Sequence, residues 1–322
     1  MSVALATHLR PLRTWLDDPD IGEISINQPG EIWVDRHGVS ERIPVPELDY
    51  QHLSFVAELV ASYTQQKVSA ATPLLSAKTP EGYRIQVVLP PAVPQNTIAV
   101  SIRRPALLEL SLDNYAELGR LTIQSATATH SVNQALHELR DNGRILDCLK
   151  LAVKERKNII VAGGTYTGKT TFMNALIREI PIGERLIMIE DVEELKPTHP
   201  NQLRLLYSRN SQGQANVDAT MLLEACLRLR PDRILLGELR GAEAFAYLRS
   251  ARSGHSGSIT SVHADSPAKV LDQLVLMCLQ AGLKMEKKDL LAFVTSVVDM
   301  IVQWRYDQGQ RFIQEIWINE SA

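Results

Sequence analysis

The sequence has too few cysteines to staple a fold. Cys148, Cys226 and Cys278 are scattered and odd in number, which argues against a disulfide framework or a Cys-x-x-Cys metal site and points to a reducing, cytoplasmic setting. Charge of one sign is also lacking. A net charge of -3 provides no general basic field to hold nucleic acid or an anionic bilayer. No apolar run approaches the roughly 18 residues of a membrane span, so any membrane association is expected to be peripheral or through partners. The opening MSVALATHLRPLRTWLDDPD reaches acidic residues without an apolar core or a small-residue cleavage site, and no secretory signal is expected. Internal repeats and low-complexity tracts are missing too. What remains is 322 residues with 45% hydrophobic content, enough for two ordinary domains.

The first part alternates short strands with one clear helix. EISIN (23–27) and EIWVD (31–35) flank the turn signal Pro29-Gly30. Leu53, Val56, Ala57, Val60 and Tyr63 recur at helical spacing, and YRIQVVLPP and TIAVSIRRP read as strands ended by prolines. Residues 1–105 are therefore expected to form a small α+β domain. Residues 106–143 lose clean periodicity and contain the small, polar SATATHSV, which predicts a linker with some structure of its own. From residue 144 to 322 the pattern turns to helix, strand, helix. RILDCLKLAVKER precedes NIIVA, and LIMIE, RILLGE and GSITSVH are further apolar strands. This alternation predicts a largely parallel sheet covered on both faces. MIVQWRYDQGQRFIQEIWIN predicts a closing antiparallel hairpin.

The chemistry is concentrated in GGTYTGKTT, residues 163–171. Gly163, Gly168, Lys169 and Thr170 satisfy G-x-x-x-x-G-K-S/T, a chance match for which has odds of roughly one in a hundred in a chain of this length. A strand enters the loop and a helix leaves it, the arrangement phosphate binding needs. Backbone N–H groups of Gly163, Gly164, Thr165, Tyr166, Thr167 and Gly168, with the helix start at Thr170 and Thr171, would cradle phosphates. Lys169 would reach the β and γ phosphates of ATP, and Thr170 would hold Mg²⁺. Hydrolysis further needs carboxylates. Glu190 and Asp191 end one strand, with Glu193 and Glu194 just beyond, and Glu238 ends another with Arg240 two residues on. A carboxylate ending a strand is often only a solvated loop residue, a reading that suits Glu193 and Glu194 better than Glu190, Asp191 and Glu238. His255, among glycines, and His263, closing a strand, lack the spacing of a zinc site. Hydrogen bonding to phosphate or water, or a structural role, suits them better.

In this order the segments resemble the traffic ATPases of bacterial type IV secretion systems, within the larger secretion and pilus ATPase superfamily. The resemblance rests on GGTYTGKTT as the Walker A loop, IMIEDVEEL as the acidic box, RLRPDRILLGELR as Walker B and SGHSGSITSVHA as the histidine box, and it spans nearly the whole chain. It implies a RecA-like P-loop domain of α/β class behind a smaller N-terminal α+β domain covering the nucleotide. It also implies a homohexameric ring, peripheral at the cytoplasmic face of the inner membrane. Other secretion ATPases, inner-membrane core proteins and a protein or DNA–protein substrate would be its partners. ATP and Mg²⁺ are the implied cofactors, with Glu238 as the Walker B glutamate, Glu190 and Asp191 as acidic-box residues, and metal support from Thr170, Glu190 and Glu238. Arg84 and Arg103 are the implied arginines that close the site from the N-terminal domain. Two positions depart from the family pattern: Tyr166 and Thr167 stand where a glycine and a serine are usual, so strain at Tyr166 and slow turnover are expected. A type II secretion or pilus motor is the nearest alternative, although the four-cysteine zinc insertion many of those carry cannot be built here. A nucleotide-gated scaffold with little hydrolysis is the other.

Overall fold

The computed structural model describes residues 2–105, 111–122, 127–209 and 213–320. Among them the strands form two sheets. The first contains β1 (Ile21–Ile26), β2 (Glu31–Arg36), β3 (Val39–Pro44), β4 (Leu74–Lys78), β5 (Arg84–Val88) and β6 (Ala99–Arg103), in the order β3-β2-β1-β6-β5-β4. Every neighbouring pair is antiparallel. Helices α1 (Ser2–His8), α2 (Arg13–Leu16) and α3 (Tyr50–Tyr63) accompany this sheet. The Asp49 side chain caps α3 by accepting from His52 N, and Leu53, Val56, Ala57 and Val60 bury one stripe against Ile24, Ile85 and Ile102.

Residues between the sheets carry α4 (Leu112–Glu117) and α5 (Thr127–Asp141). Parts of the segment expected to link the domains, 106–110 and 123–126, lie outside the described residues. Leu136 of α5 is buried within the apolar cluster of the second sheet, and its carbonyl accepts from Cys148 Sγ at 3.5 Å.

The second sheet contains β7 (Ile159–Gly163), β8 (Leu186–Glu190), β9 (Gln202–Leu206), β10 (Arg233–Leu239), β11 (Ile259–Val262), β12 (Met300–Asp307) and β13 (Gln310–Ile318). Its order is β13-β12-β7-β11-β10-β8-β9, parallel except for the final hairpin of β12 and β13. All residues of β7, β8 and β11 are buried, including the polar Thr260 and Ser261 of β11, as strands with both faces covered should be. Covering helices are α6 (Ile145–Lys154), α7 (Lys169–Arg178), α8 (Ala219–Cys226), α9 (Glu243–Arg252), α10 (Pro267–Gln280) and α11 (Lys287–Thr295). The three cysteines are buried and unbridged. No described helix is long and apolar enough to cross a membrane.

The two sheets meet directly. Val88, Ala92, Val93 and Ala99 join the apolar cluster that holds Ile187, Leu203 and Leu205. Leu206 N donates to Ala92 O at 2.8 Å, and the buried Arg185 donates to Asn27 Oδ1 at 2.7 Å.

Candidate functional site

The parallel order brings the C-terminal ends of β7, β8, β10 and β11 to one edge, where open α/β sheets bind ligands. At the end of β7 the chain turns sharply. A Cβ on Gly163 would come within 2.7 Å of both Thr167 Oγ1 and Trp304 O, so this position has room only for glycine. Thr167 is buried, and its hydroxyl donates to Gly164 O at 3.0 Å, closing the loop on itself. Gly168 takes a φ of 94° and α7 begins directly after it, with no side chain capping its first turn. Its free N–H groups and dipole face the loop. Lys169 Nζ lies inside, donating to Gly163 O at 3.1 Å and Gly164 O at 2.8 Å. Burial lowers its pKa.

Tyr166 has a φ of 66° and is 81% exposed as a residue. The left-handed backbone is the conformation in which a glycine would be free of strain, as the sequence departure led one to expect.

The acidic groups divide by what they touch. Glu190, at the end of β8, is buried: Oε1 accepts from Glu194 N at 2.8 Å and Leu195 N at 2.7 Å, and Oε2 from Arg204 Nε at 3.1 Å. Its two oxygens thus shape the following loop. Burial nevertheless raises its pKa, against those hydrogen bonds. Asp191 pairs with Arg209 at 2.8 Å. It is Glu194 that meets the helix start, with Thr170 Oγ1 donating to its Oε2 at 3.1 Å.

Glu238, near the end of β10, is paired through Oε2 with Arg240. Its Oε1 is buried 2.8 Å from His263 Nε2, without a hydrogen bond of good geometry. Burial pushes its pKa up to about 7, opposed by the charges of Lys169 and Arg209 and reinforced by Asp191 and Glu194. His263 follows β11, its Nδ1 3.3 Å from Lys169 Nζ. The imidazole therefore lies between the loop lysine and the strand glutamate. Burial, then the nearby ammonium, lowers its pKa. A Cβ on Gly237 would stand 3.7 Å from Glu190 Cγ, an ordinary van der Waals contact.

These groups line one cavity of about 1250 Å³ that includes Thr165, Tyr166, Thr167, Gly168, Lys169, Thr170, Thr171, Glu190, Asp191, Glu238, Arg240 and His263. Arg84 and Arg103 are not brought there. They face each other across β5 and β6 and line a separate cavity of about 520 Å³ with Glu23, Asp35, Arg228, Arg230 and His255. Glu194 is one of several acids in the acidic box and is singled out only by its contact with Thr170, whereas Trp304 and Arg311 of the closing hairpin, also at the loop, carry no local sequence motif.

The donor set suits a hard divalent ion. A threonine hydroxyl, the Glu194 carboxylate beside it and the unpartnered Glu238 Oε1 present only oxygens. Mg²⁺ in phosphate sites takes few protein ligands and keeps waters and phosphate oxygens for the rest. Among the described residues no cluster of His, Cys, Asp and Glu could hold a metal by itself.

A strand, a glycine loop and a helix start, with a lysine inside and a glutamate on a neighbouring strand, are the parts of a P-loop ATPase. The family model described as type II/IV secretion system protein matches residues 6–307. The type IV secretion system protein VirB11 of Brucella suis biovar 1 (strain 1330) is 42% identical over 326 residues, spanning 98% of this chain and 90% of that protein. Protein VirB11 of Rhizobium radiobacter is 38% identical over 322 residues, with 98% and 93% covered. The crystal structure of the VirB11 ATPase from the Brucella suis type IV secretion system, in complex with sulphate, superposes with a TM-score of 0.90 at 41% identity, covering 98% of this chain and 97% of that one. The chain belongs to the type II/IV secretion system protein family, with the RecA-like architecture expected, and is a type IV secretion ATPase.

Proposed function

We propose that this chain is an Mg-ATP-driven, homohexameric motor, peripheral at the cytoplasmic face of the inner membrane. It would energise assembly or substrate transfer in a type IV secretion or conjugation machine, beside other secretion ATPases and membrane core proteins. Residues 1–105 and 144–322 act as its two domains. In this reading the loop amides and Lys169 hold the β and γ phosphates, and Thr170, Glu194 and Glu238 would hold Mg²⁺, which would supply positive charge beside the phosphates. Glu238, with a pKa near neutrality, orients the attacking water and takes its proton, and His263 links it to Lys169. Glu190 supports the site by fixing the acidic loop, and Asp191 by holding Arg209.

The observation that carries the assembly is the separation of Arg84 and Arg103 from the loop of their own chain. Their cavity gathers four arginines on the seam between the two sheets, and a second copy would bring phosphate to them. Each nucleotide would then be held by the loop of one subunit and closed by the arginines of the next. Mixing two inactive proteins, Lys169→Ala and the double variant Arg84→Ala with Arg103→Ala, tests this. Composite sites with both halves intact are expected to restore hydrolysis to roughly a quarter of wild type if the subunits mix freely. Phosphate release that stays at the level of the separate variants after subunit exchange would show that the arginines do not act in trans.

A further inference from the structure

The closing hairpin reaches the phosphate loop. β12 pairs in parallel with β7 and places Trp304 opposite Gly163. β13 then returns with Arg311 opposite Tyr306. The Arg311 guanidinium carbon lies 5.2 Å from the Tyr306 ring centroid and 5.5 Å from that of Tyr166. Arg311 Nε donates to Tyr166 O at 3.4 Å, a long bond. A Cβ on Gly168 would meet Arg311 Cδ at 3.0 Å, so the side chain lies against the glycine that immediately precedes Lys169.

Charge separates this arginine from three others near the site, although Arg178, which lines the same cavity, is likewise without a carboxylate partner among the described residues. Arg204 is paired with Glu190 and Glu193, Arg209 with Asp191, and Arg240 with Glu238. Among the described residues no carboxylate pairs with Arg311. Aromatic faces orient a guanidinium without neutralising it, and its planar fork suits a phosphate. Tyr166 accepts a left-handed backbone and keeps an exposed ring; the contact with Arg311 supplies a reason for a ring at that position.

We propose that Arg311 is a further nucleotide-contact residue, a cation supported by the rings of Tyr166 and Tyr306 beside the phosphate loop, whose terminal nitrogens take a phosphate oxygen of ATP or ADP. This rests on the reading of the cavity as the nucleotide site. It adds to the loop a positive charge from the same chain, distinct from Arg84 and Arg103.

Dissociation constants of a fluorescent ADP analogue and a non-hydrolysable ATP analogue are measured across a salt series. The full-length proteins compared are wild type, Arg311→Ala, Arg311→Lys and Lys169→Ala. Arg311→Ala is expected to weaken both nucleotides by about tenfold or more and to flatten the salt dependence. Arg311→Lys, which keeps the charge without the fork, is expected to recover part of the loss and the steeper salt dependence. Wild-type affinity in Arg311→Ala, with binding lost in Lys169→Ala, overturns the inference and leaves the site reading intact. Wild-type affinity in both overturns the site reading as well. Weakened binding with unchanged salt dependence and no recovery in Arg311→Lys assigns the arginine to holding the loop, and overturns the phosphate contact. If Arg311→Ala does not fold, Arg311→Gln, which keeps a planar group without the charge, takes its place with the same expected outcomes.

Discussion

Glu238 shows how one residue can be suited to chemistry at a cost to stability. Its carboxyl is held near pKa 7 because burial disfavours the anion more than Lys169 and Arg209 favour it. A carboxyl whose pKa is raised on folding contributes stability that is fully present below the unfolded value, near 4.3, and lost as pH rises through about 7. At pH 8 the buried anion therefore weakens the fold. Glu238→Gln, measured without nucleotide or metal, is expected to be more stable than wild type at pH 8 by about 1 kcal/mol, after allowance for solvent screening of a partly open site. The gain should disappear at pH 4. The same variant should bind ATP while hydrolysing it at least about tenfold more slowly, because shape is kept and the proton acceptor is lost. Thermal melts at both pH values, with phosphate release, decide the matter. A gain that is equal at pH 4 and pH 8 would assign the effect to packing instead.

At the level of elements, the site depends on β12 lying parallel against β7. That pairing puts the Trp304 carbonyl where a side chain on Gly163 would fall, so the first glycine of the loop is fixed by tertiary packing as well as by phosphate approach. Gly163→Ala must push β12 or the loop aside. It is expected to cost about 1–3 kcal/mol of stability and to lower hydrolysis by more than about tenfold through misplaced amides. Urea denaturation and phosphate release that both match wild type would show that the hairpin yields freely. Legibility in the sequence follows the same division. The strands β7, β8 and β10 that feed the site were readable because apolar runs between loop signals suit a sheet covered on both faces, and β11, with Thr260 and Ser261 between its apolar ends, was readable from its place in the strand and helix alternation. The edge strand β3, largely exposed with a polar alternation, and β9, with its alternating burial, gave weaker patterns. Helix α5 was hidden by small polar residues at its start. Arg311 carried no local signal, since its place at the loop is made by strand pairing across more than half of the second sheet's sequence. The acidic segment was legible as a group, but the division of labour between Glu190 and Glu194 depends on which carboxylate the loop amides take.

The molecule as a whole must couple two sheets, and a buried polar cluster on their seam does so. Arg185 is 2% exposed and reaches Asn27 Oδ1 at 2.7 Å from the second sheet's side, with Asn201 Oδ1 and Leu229 O as further acceptors. Asn27 also donates to Asn201 Oδ1 at 3.0 Å. Burial lowers the Arg185 pKa to about 10, still far above neutrality, so a full charge is retained on the seam. One of its terminal nitrogens, Nη2, already lacks a hydrogen-bond partner. Removing a second interaction leaves that charge poorly satisfied, and Asn27→Ala is expected to destabilise the protein by about 2–4 kcal/mol. The seam also carries Arg230 paired with Asp35 at 2.8 Å, beside Arg84 and Arg103. If those arginines close a neighbour's site, a loosened seam misplaces them while the phosphate loop of each chain stays intact. Asn27→Ala should therefore lower hydrolysis in the assembled protein by several-fold, with nucleotide affinity of the dilute, unassembled chain unchanged. Urea midpoints, phosphate release at high protein concentration and nucleotide titration at low concentration separate these effects. A shifted midpoint with unaltered hydrolysis would mean that the two sheets need not be held rigidly for turnover, and that the seam serves folding alone.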